Sequence, residues 1–259
     1  MGILNITPDS FYDGGRHQKR LAALDHAGRM LEEGAGILDL GAASTRPGAG
    51  IIDPETEQQR LIPVLKAIVR NYPGALLSVD TYHSSTARLA IDEGAHMIND
   101  VSAGSIDPEM FNTIARLQVP YVIMHMQGRP DSMQREPKYT HVVKEVAEFF
   151  SKKIHILRQM GVHDLVIDPG FGFGKSLEHN YNLLARLDFF SIFDLPLMVG
   201  FSRKSMVNKV LRTPPEKALG GTTVLNTLAL EKGARILRVH DVKEAVEAIK
   251  ITSCYQSQK

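Results

Sequence analysis

Eight short apolar runs, each followed by polar or charged residues, recur along this 259-residue chain. Asn5 follows Ile3-Leu4, Asp39 follows Ile37-Leu38, and Asp80 follows Leu76–Val79. Asn99 and Asp100 follow Met97-Ile98, His125 follows Tyr121–Met124, and Asp168 follows Leu165–Ile167. Leu197–Val199 leads to Ser202-Arg203-Lys204, and Ile236-Leu237 leads to Arg238. Helical patterns fill the intervals, at about 17–33, 54–71, 84–93, 108–117, 140–160, 178–188, 215–232 and 241–251. In one of them Val142, Val143, Val146, Phe149, Phe150 and Ile154 recur at three- and four-residue steps, as on one face of a helix. Strand and helix thus alternate eight times, at about 32 residues per unit, close to the smallest βα repeat. The pattern predicts an α/β fold, a (β/α)8 TIM barrel spanning 1–259 as a single domain. Its strand-end polar residues would share the rim where barrels bind ligands. An open doubly wound sheet is the alternative, and eight regular units favour closure.

The junctions agree. Glu33-Gly34-Ala35-Gly36, Glu93-Gly94-Ala95-His96 and Lys232-Gly233-Ala234-Arg235 share one form, with Met160-Gly161-Val162 a looser copy. In each, a glycine able to take positive φ ends a helix just before a buried strand begins. These tight turns belong at the bottom of a barrel. On top, Thr7 to His17 and Ala42 to Asp53 exceed the usual two to six residues of a βα loop. Both are read as loops that cover a site, against the plainer reading of tolerated insertions. Met1 stands almost on the first strand, so the N-terminus reads as truncated, or the barrel bottom as unusually exposed.

Composition narrows the function classes. A net charge of +1 creates no global field, so neither nucleic acid nor a membrane surface is implied as a partner. The single cysteine, Cys254, excludes an internal disulfide framework and any Cys-rich metal site. There is no signal-like start and no apolar run near 18 residues, so the expected location is cytoplasmic.

Gly170-Phe171-Gly172-Phe173-Gly174-Lys175-Ser176 resembles a phosphate-binding loop, but Pro169 stands where the first glycine of a P-loop belongs. The dinucleotide spacing fails at Leu177. What remains is backbone freedom beside Asp168 and an aromatic face at Phe173. Asp80, Asn99 and Asp168 sit at strand ends, where Asp and Asn also cap helices. Asp80 and Asp168 precede Thr81-Tyr82 and Pro169-Gly170, so capping suits them poorly; for Asp39 and Asp100 both readings stay open. A carboxylate in a barrel mouth can take two parallel N–H bonds from an aminopyrimidinone edge. Asn99 and Lys204 add donors and an acceptor for the same ring. Arg238 and His240 are two apart and share a strand face, and the next helix begins near Asp241. Together they suit an anion such as phosphate. Ser44-Thr45-Arg46 puts hydroxyls and a guanidinium on the second long loop, where a solvated arginine is the plainer reading. No His-Glu-x-x-His and no His-x-His closing a strand occurs, so no dedicated zinc site is expected.

In order along the chain, several stretches resemble dihydropteroate synthases. They are Met1–Phe11, Ser44–Ala49, Ser78–Thr81, Ile98–Ser102, Met124–Gly128, Asp168–Lys175, Gly200–Ser205 and Arg238–Val242. The resemblance implies a pterin-binding barrel that joins 6-hydroxymethyl-7,8-dihydropterin diphosphate to 4-aminobenzoate in folate synthesis, and a sulfonamide target. It implies that Asp80, Asn99, Asp168 and Lys204 hold the pterin. Asn5, Arg238 and His240 would hold the diphosphate, with Asn5 also meeting Mg²⁺. Thr45, Arg46, Pro47, Phe173 and Ser205 would border the aminobenzoate, with Asp9 and Phe11 from the first loop. A homodimer through the late helices is implied too. The family's Gly-Gly-Glu before Ser-Thr-Arg-Pro is here Gly41-Ala42-Ala43, which removes a carboxylate from the second loop.

The mechanism so implied loses diphosphate early and needs no general base. Arg238, His240 and the last helix would stabilise the leaving group. Arg238→Ala is expected to lower turnover by orders of magnitude with the fold intact. Two other functions compete. A pterin-binding methyltransferase would not need Arg238-Val239-His240 or Ser44–Pro47, while Ala42 and Ala43 suit a non-catalytic pterin-binding paralogue.

Overall fold

The structure, a computed structural model, describes residues 1–6, 16–42, 52–128 and 137–258. Strands β1 (Gly2–Asn5), β2 (Leu38–Gly41), β3 (Leu77–Asp80), β4 (Met97–Asp100), β5 (Tyr121–Met124) and β6 (Leu165–Asp168) pair in chain order, all parallel. Strands β7 (Met198–Val199) and β8 (Ile236–Leu237) form a further parallel pair. Parallel bridges Ile167↔Leu197 and Gly2↔Val239 connect β6 to β7 and β8 back to β1. The sheet therefore closes into an eight-stranded barrel, and the open sheet is set aside.

Successive strand residues face opposite ways, and here the two faces have different fates. Leu38, Leu40, Leu77, Val79, Ile98, Ile123, Leu165, Ile167, Val199 and Leu237 join the large core packed under the helices. The opposite parity supplies a small inner plug of Val122, Val166 and Met198, with Met1, Met97 and Ile236 against it. The next inward positions toward the strand ends are polar or small, including Gly41, Asp80, Asn99 and Asp168. The barrel is thus apolar below and polar at its mouth.

The helices are α1 (Arg16–Glu32), α2 (Pro54–Asn71), α3 (Ser84–Asp92), α4 (Met110–Leu117), α5 (Val142–Gln159), α6 (Leu177–Ala185), α7 (Ser205–Leu211), α8 (Leu219–Glu231) and α9 (Val242–Gln256). The start of α2 is explicit in the sequence: Asp53 accepts the Thr56 N–H at 2.8 Å and Pro54 fits the first turn. The four bottom turns behave as expected, with Gly34, Gly94, Gly161 and Gly233 at φ 99°, 98°, 81° and 93°.

Three expectations need correction. The helix expected over 178–188 ends at Ala185, and a 3₁₀ segment, Leu187–Phe193, follows it. That expected over 215–232 divides into a 3₁₀ turn, Pro215–Lys217, and α8. Helix α7 escaped the periodicity because it is only seven residues long and has no side-chain cap. As for the barrel bottom, β1 has four residues like β2–β6, and the Met1 amino group donates to the Leu237 carbonyl at 2.9 Å. Among the described residues no helix is long and apolar enough to cross a membrane.

Candidate active site

Register brings the mouth together. Asp80 lies opposite Asn99 on β4 and opposite Gly41 on β2, and Asp168 lies opposite Met124 on β5. Gly41 and Gly200 keep this level open. A Cβ on Gly41 would sit 3.5 Å from the Asp80 Cβ, and one on Gly200 3.8 Å from the Lys204 Nζ.

One wall is organised by Arg238. Its Nε donates to Asp39 Oδ2 and its Nη2 to Asp80 Oδ2, both at 2.7 Å. Asn99 Nδ2 donates to the same Asp39 oxygen at 3.0 Å. Two effects oppose each other at Asp80. Burial raises its carboxyl, helped by Asp39, Glu57 and Asp100, while Arg238 lowers it, and the sum is a rise to about 7. Burial alone would lower the Arg238 guanidinium, but Asp39 and Asp80 outweigh it and hold the side chain charged. The two aspartates left open by the sequence thus separate by parity. Asp39 faces inward to Arg238. Asp100 faces outward, where it accepts from the Ser102 N–H and hydroxyl, the Gly104 N–H and the Tyr121 hydroxyl, each at 2.7 Å. Neither caps a helix; Asp100 anchors a turn.

The opposite wall is built from Asp168, Lys204 and the glycine-rich turn between them. Asp168 Oδ1 accepts the Gly170 N–H at 2.8 Å. Burial raises its carboxyl, opposed first by Lys204. Lys204 donates to the Phe171 carbonyl at 2.6 Å and lies 4.7 Å from the Phe173 ring centroid. Burial lowers its ammonium to about 8, although Asp168 pulls it up. Phe173 packs beside Tyr82, Val101 and Met124, which gives this wall an apolar shelf.

The remaining expected residues are more scattered. Asn5 ends β1 opposite Gly41. Ser205 opens α7 and is exposed. The His240 Nδ1 lies 3.0 Å from the Ser202 hydroxyl, and Arg203 pairs with Asp241 at 3.1 Å, so the exits of β7 and β8 are tied together. Asp9, Phe11, Thr45, Arg46 and Pro47 lie outside the described residues, as do most of the two long loops. Within the described residues no cluster of three or more His, Cys, Asp or Glu side chains can hold a metal ion.

Two further polar groups at the mouth carry little mark in the sequence. Glu57 on α2 is fully buried, and its Oε2 accepts the Thr81 hydroxyl at 2.7 Å, next to Asp80. Its place on the inner face of an amphipathic helix was the available signal. Lys175 lies in a stretch that only resembles a phosphate-binding loop, yet its ammonium is buried behind the turn.

The comparisons fit this geometry. Residues 1–240 match the family model of pterin binding enzymes. The chain is 46% identical over 261 residues to dihydropteroate synthase of Escherichia coli strain K12, covering 100% of this chain and 92% of that one. It is 42% identical over 253 residues to dihydropteroate synthase of Haemophilus influenzae, covering 97% and 91%. The Yersinia pestis dihydropteroate synthase in a sulfonamide drug complex superposes with a TM-score of 0.93 at 43% identity, covering 100% of this chain and 93% of that chain. That of Xanthomonas albilineans with 4-aminobenzoic acid superposes with a TM-score of 0.91 at 42% identity, covering 98% and 92%. This chain belongs to the dihydropteroate synthase family of pterin-binding enzymes.

Proposed function

We propose that the mouth of this barrel condenses 6-hydroxymethyl-7,8-dihydropterin diphosphate with 4-aminobenzoate, giving 7,8-dihydropteroate and diphosphate, with the two walls dividing the work. The observation that carries this reading is the convergence of Asp80, Asn99, Asp168, Lys204 and Arg238, drawn from five strand ends, at the barrel mouth. Asp80, Asn99 and Asp168 present acceptors and an amide to the pterin edge, and charge-assisted bonds there fix its orientation. Lys204 donates to the ring from the same wall as Asp168, across from Asp80 and Asn99. Arg238 spends two N–H groups on Asp39 and Asp80, and a guanidinium has five. The others, with His240 and the start of α9, face the departing diphosphate as a preorganised positive field. That field is weaker than an unpaired arginine would give, since two carboxylates already partner it.

Mg²⁺ fits this donor set. It takes most of its ligands from phosphate oxygens and water, so the one neutral amide of Asn5 suffices on the protein side. When bound, it would neutralise charge on the diphosphate. The aminobenzoate would rest against Phe173 and Ser205, with Thr45, Arg46, Pro47, Asp9 and Phe11 bordering it from the long loops. An arylamine attacking an electron-poor methylene needs no strong base, and excluding water protects that centre from hydrolysis.

Exposed apolar residues at four-residue steps support a homodimer through the last helices: Val224 and Leu228 on α8, Ile251 and Tyr255 on α9. Sedimentation of Val224→Asp as a monomer beside a dimeric parent would bear this out. The one cysteine in the chain, an exposed free thiol at Cys254, suits a cytoplasmic setting. The deciding assay incubates the protein with the pterin diphosphate, Mg²⁺ and 4-aminobenzoate and looks for dihydropteroate. Folded protein that yields none would refute the reading.

A further inference from the structure

The glycine-rich turn over 169–175 has a cation on each side. On the mouth side, Lys204 donates to the Phe171 carbonyl. On the far side, the Lys175 ammonium is enclosed by the Gly170 carbonyl at 2.9 Å, the Phe173 carbonyl at 3.1 Å and the His125 carbonyl at 3.2 Å. The His125 Nδ1 completes the cage at 3.0 Å. None of the four is a carboxylate. Burial lowers this ammonium to about 7, although Asp168 pulls it up, and the hydrogen bonds of the cage must offset the remaining cost of leaving water. This cage offers four acceptors to three N–H groups.

The geometry favours a charged amine beside a neutral imidazole. Three carbonyl oxygens can only accept, so Nζ must donate to them. The imidazole nitrogen facing it then accepts, with its proton on Nε2. Burial, and next Lys175 itself, drive His125 down to about 2, which agrees with a neutral ring. An uncharged amine could turn its lone pair to a protonated Nδ1, but it would then have two N–H groups for three carbonyls.

Within the turn, buried Phe171 packs on Phe201, and the three glycines around it contribute no side-chain contacts. Gly170, Gly172 and Gly174 all have positive φ, at 70°, 82° and 58°, where glycine gains nothing from side-chain contacts. A Cβ on Gly170 would collide with the His125 carbonyl oxygen, and one on Gly174 with the Gln127 carbonyl oxygen, so the turn lies directly on the exit of β5. Asn180 ties Gly172 from α6, accepting its N–H at 2.7 Å. Lys175 is the group that connects the start of the turn, its aromatic residue and the β5 exit at a single point.

We propose that Lys175 is a positioning residue of the condensation, a buried ammonium that fixes the turn and thereby sets both Phe173 and Lys204 against the two substrates. It touches neither substrate. Its influence runs through the Phe173 backbone to the ring that borders the aminobenzoate, and through the Gly170–Phe171 peptide to the carbonyl that holds Lys204. The inference rests on the dihydropteroate synthase reading of this site.

The test compares Lys175→Met, which fills the space without charge, with Lys175→Ala, which leaves room for added ethylammonium. The expected result for Lys175→Met, folded by circular dichroism, is a kcat/KM for 4-aminobenzoate lower by about 100-fold. The loss should appear largely as a raised KM, with weaker pterin binding in calorimetry. Lys175→Ala should regain turnover in ethylammonium along a saturable curve. A purely structural lysine would lower the melting temperature and leave both substrate constants alone in the folded variant. Unchanged constants in Lys175→Met overturn the proposal, and so does a Lys175→Ala loss that ethylammonium fails to restore. If Lys175→Met does not fold, Lys175→Ala prepared in ethylammonium is assayed with and without the amine under the same criterion. An inactive wild-type chain would strike the dihydropteroate synthase reading instead of this one.

Discussion

The two walls of the mouth solve the same problem, holding a charge out of water, by different means. On the Arg238 wall one guanidinium is shared by two carboxylates, Asp39 and Asp80, from neighbouring strands. Each partner there compensates another. On the Lys204 wall the cations rest on backbone carbonyls of a glycine-rich turn, and Asp168 spends one oxygen on the Gly170 N–H. The first wall depends on the register of the barrel, and the second on the shape of a loop. Charge changes should therefore damage the first more, and backbone changes the second.

Arg238→Ala offers the severest test. It strands two buried carboxylates, so a stability loss of about 3–5 kcal/mol is expected in chemical denaturation. Turnover should fall by about 10³-fold or more. The stability cost corrects the expectation of an intact fold, because the sequence did not reveal that Arg238 neutralises Asp39 and Asp80. Near-normal turnover would exclude the catalytic role proposed for it.

Asp168→Asn should weaken pterin binding by about 10- to 100-fold, the loss of one charged hydrogen bond, as read by calorimetry. Unchanged affinity would mean that the Lys204 wall does not hold the pterin.

A pH series separates the walls further. Asp80 rises from 3.8 in the unfolded chain to about 7 in the folded one. Across that window the folded protein keeps a proton the unfolded chain has released. The contribution of Asp80 to stability therefore falls as pH rises, on the order of 1 kcal/mol per unit. In Asp80→Asn this part of the slope should vanish from denaturation midpoints. An identical slope would place the charge elsewhere.

Backbone substitution should sharpen the contrast on the Lys204 side. Gly170→Ala adds a clash with the His125 carbonyl to an unfavourable φ, for an expected loss of about 2–3 kcal/mol in thermal unfolding. Gly161→Ala, with φ +81° and open space around it, should lose only about 1 kcal/mol. Equal losses would show that the close approach to β5 is unimportant. The smallest effect is expected for Glu57→Gln. Burial already pushes this carboxyl up, so an amide of the same shape should change stability by less than about 1 kcal/mol.

Much of the fold was legible because its signals are local. Alternating apolar runs and helical periods marked the eight strands, and glycines at Gly34, Gly94, Gly161 and Gly233 marked the bottom turns. Helix α7 was not legible, since seven residues carry too little periodicity. At the mouth, strand-end position was enough to place Asp80, Asn99, Asp168 and Arg238 together. It did not separate Asp39 from Asp100, which have the same local appearance and differ only in the face their register assigns them. Lys175 was hidden for a related reason: a glycine-rich run ending in lysine looks solvated or phosphate-binding until the turn folds over it.

Residue order alone thus settled the number of βα units and the ring of polar strand ends, because hydrophobic period and turn chemistry act over a few neighbouring residues. Which side chains share a charge was decided only when the barrel closed. Arg238 meets Asp39 and Asp80 across separations of 199 and 158 residues. Lys175 meets His125 across 50. No local rule reaches that far; closure and strand register determine which buried charges find a partner.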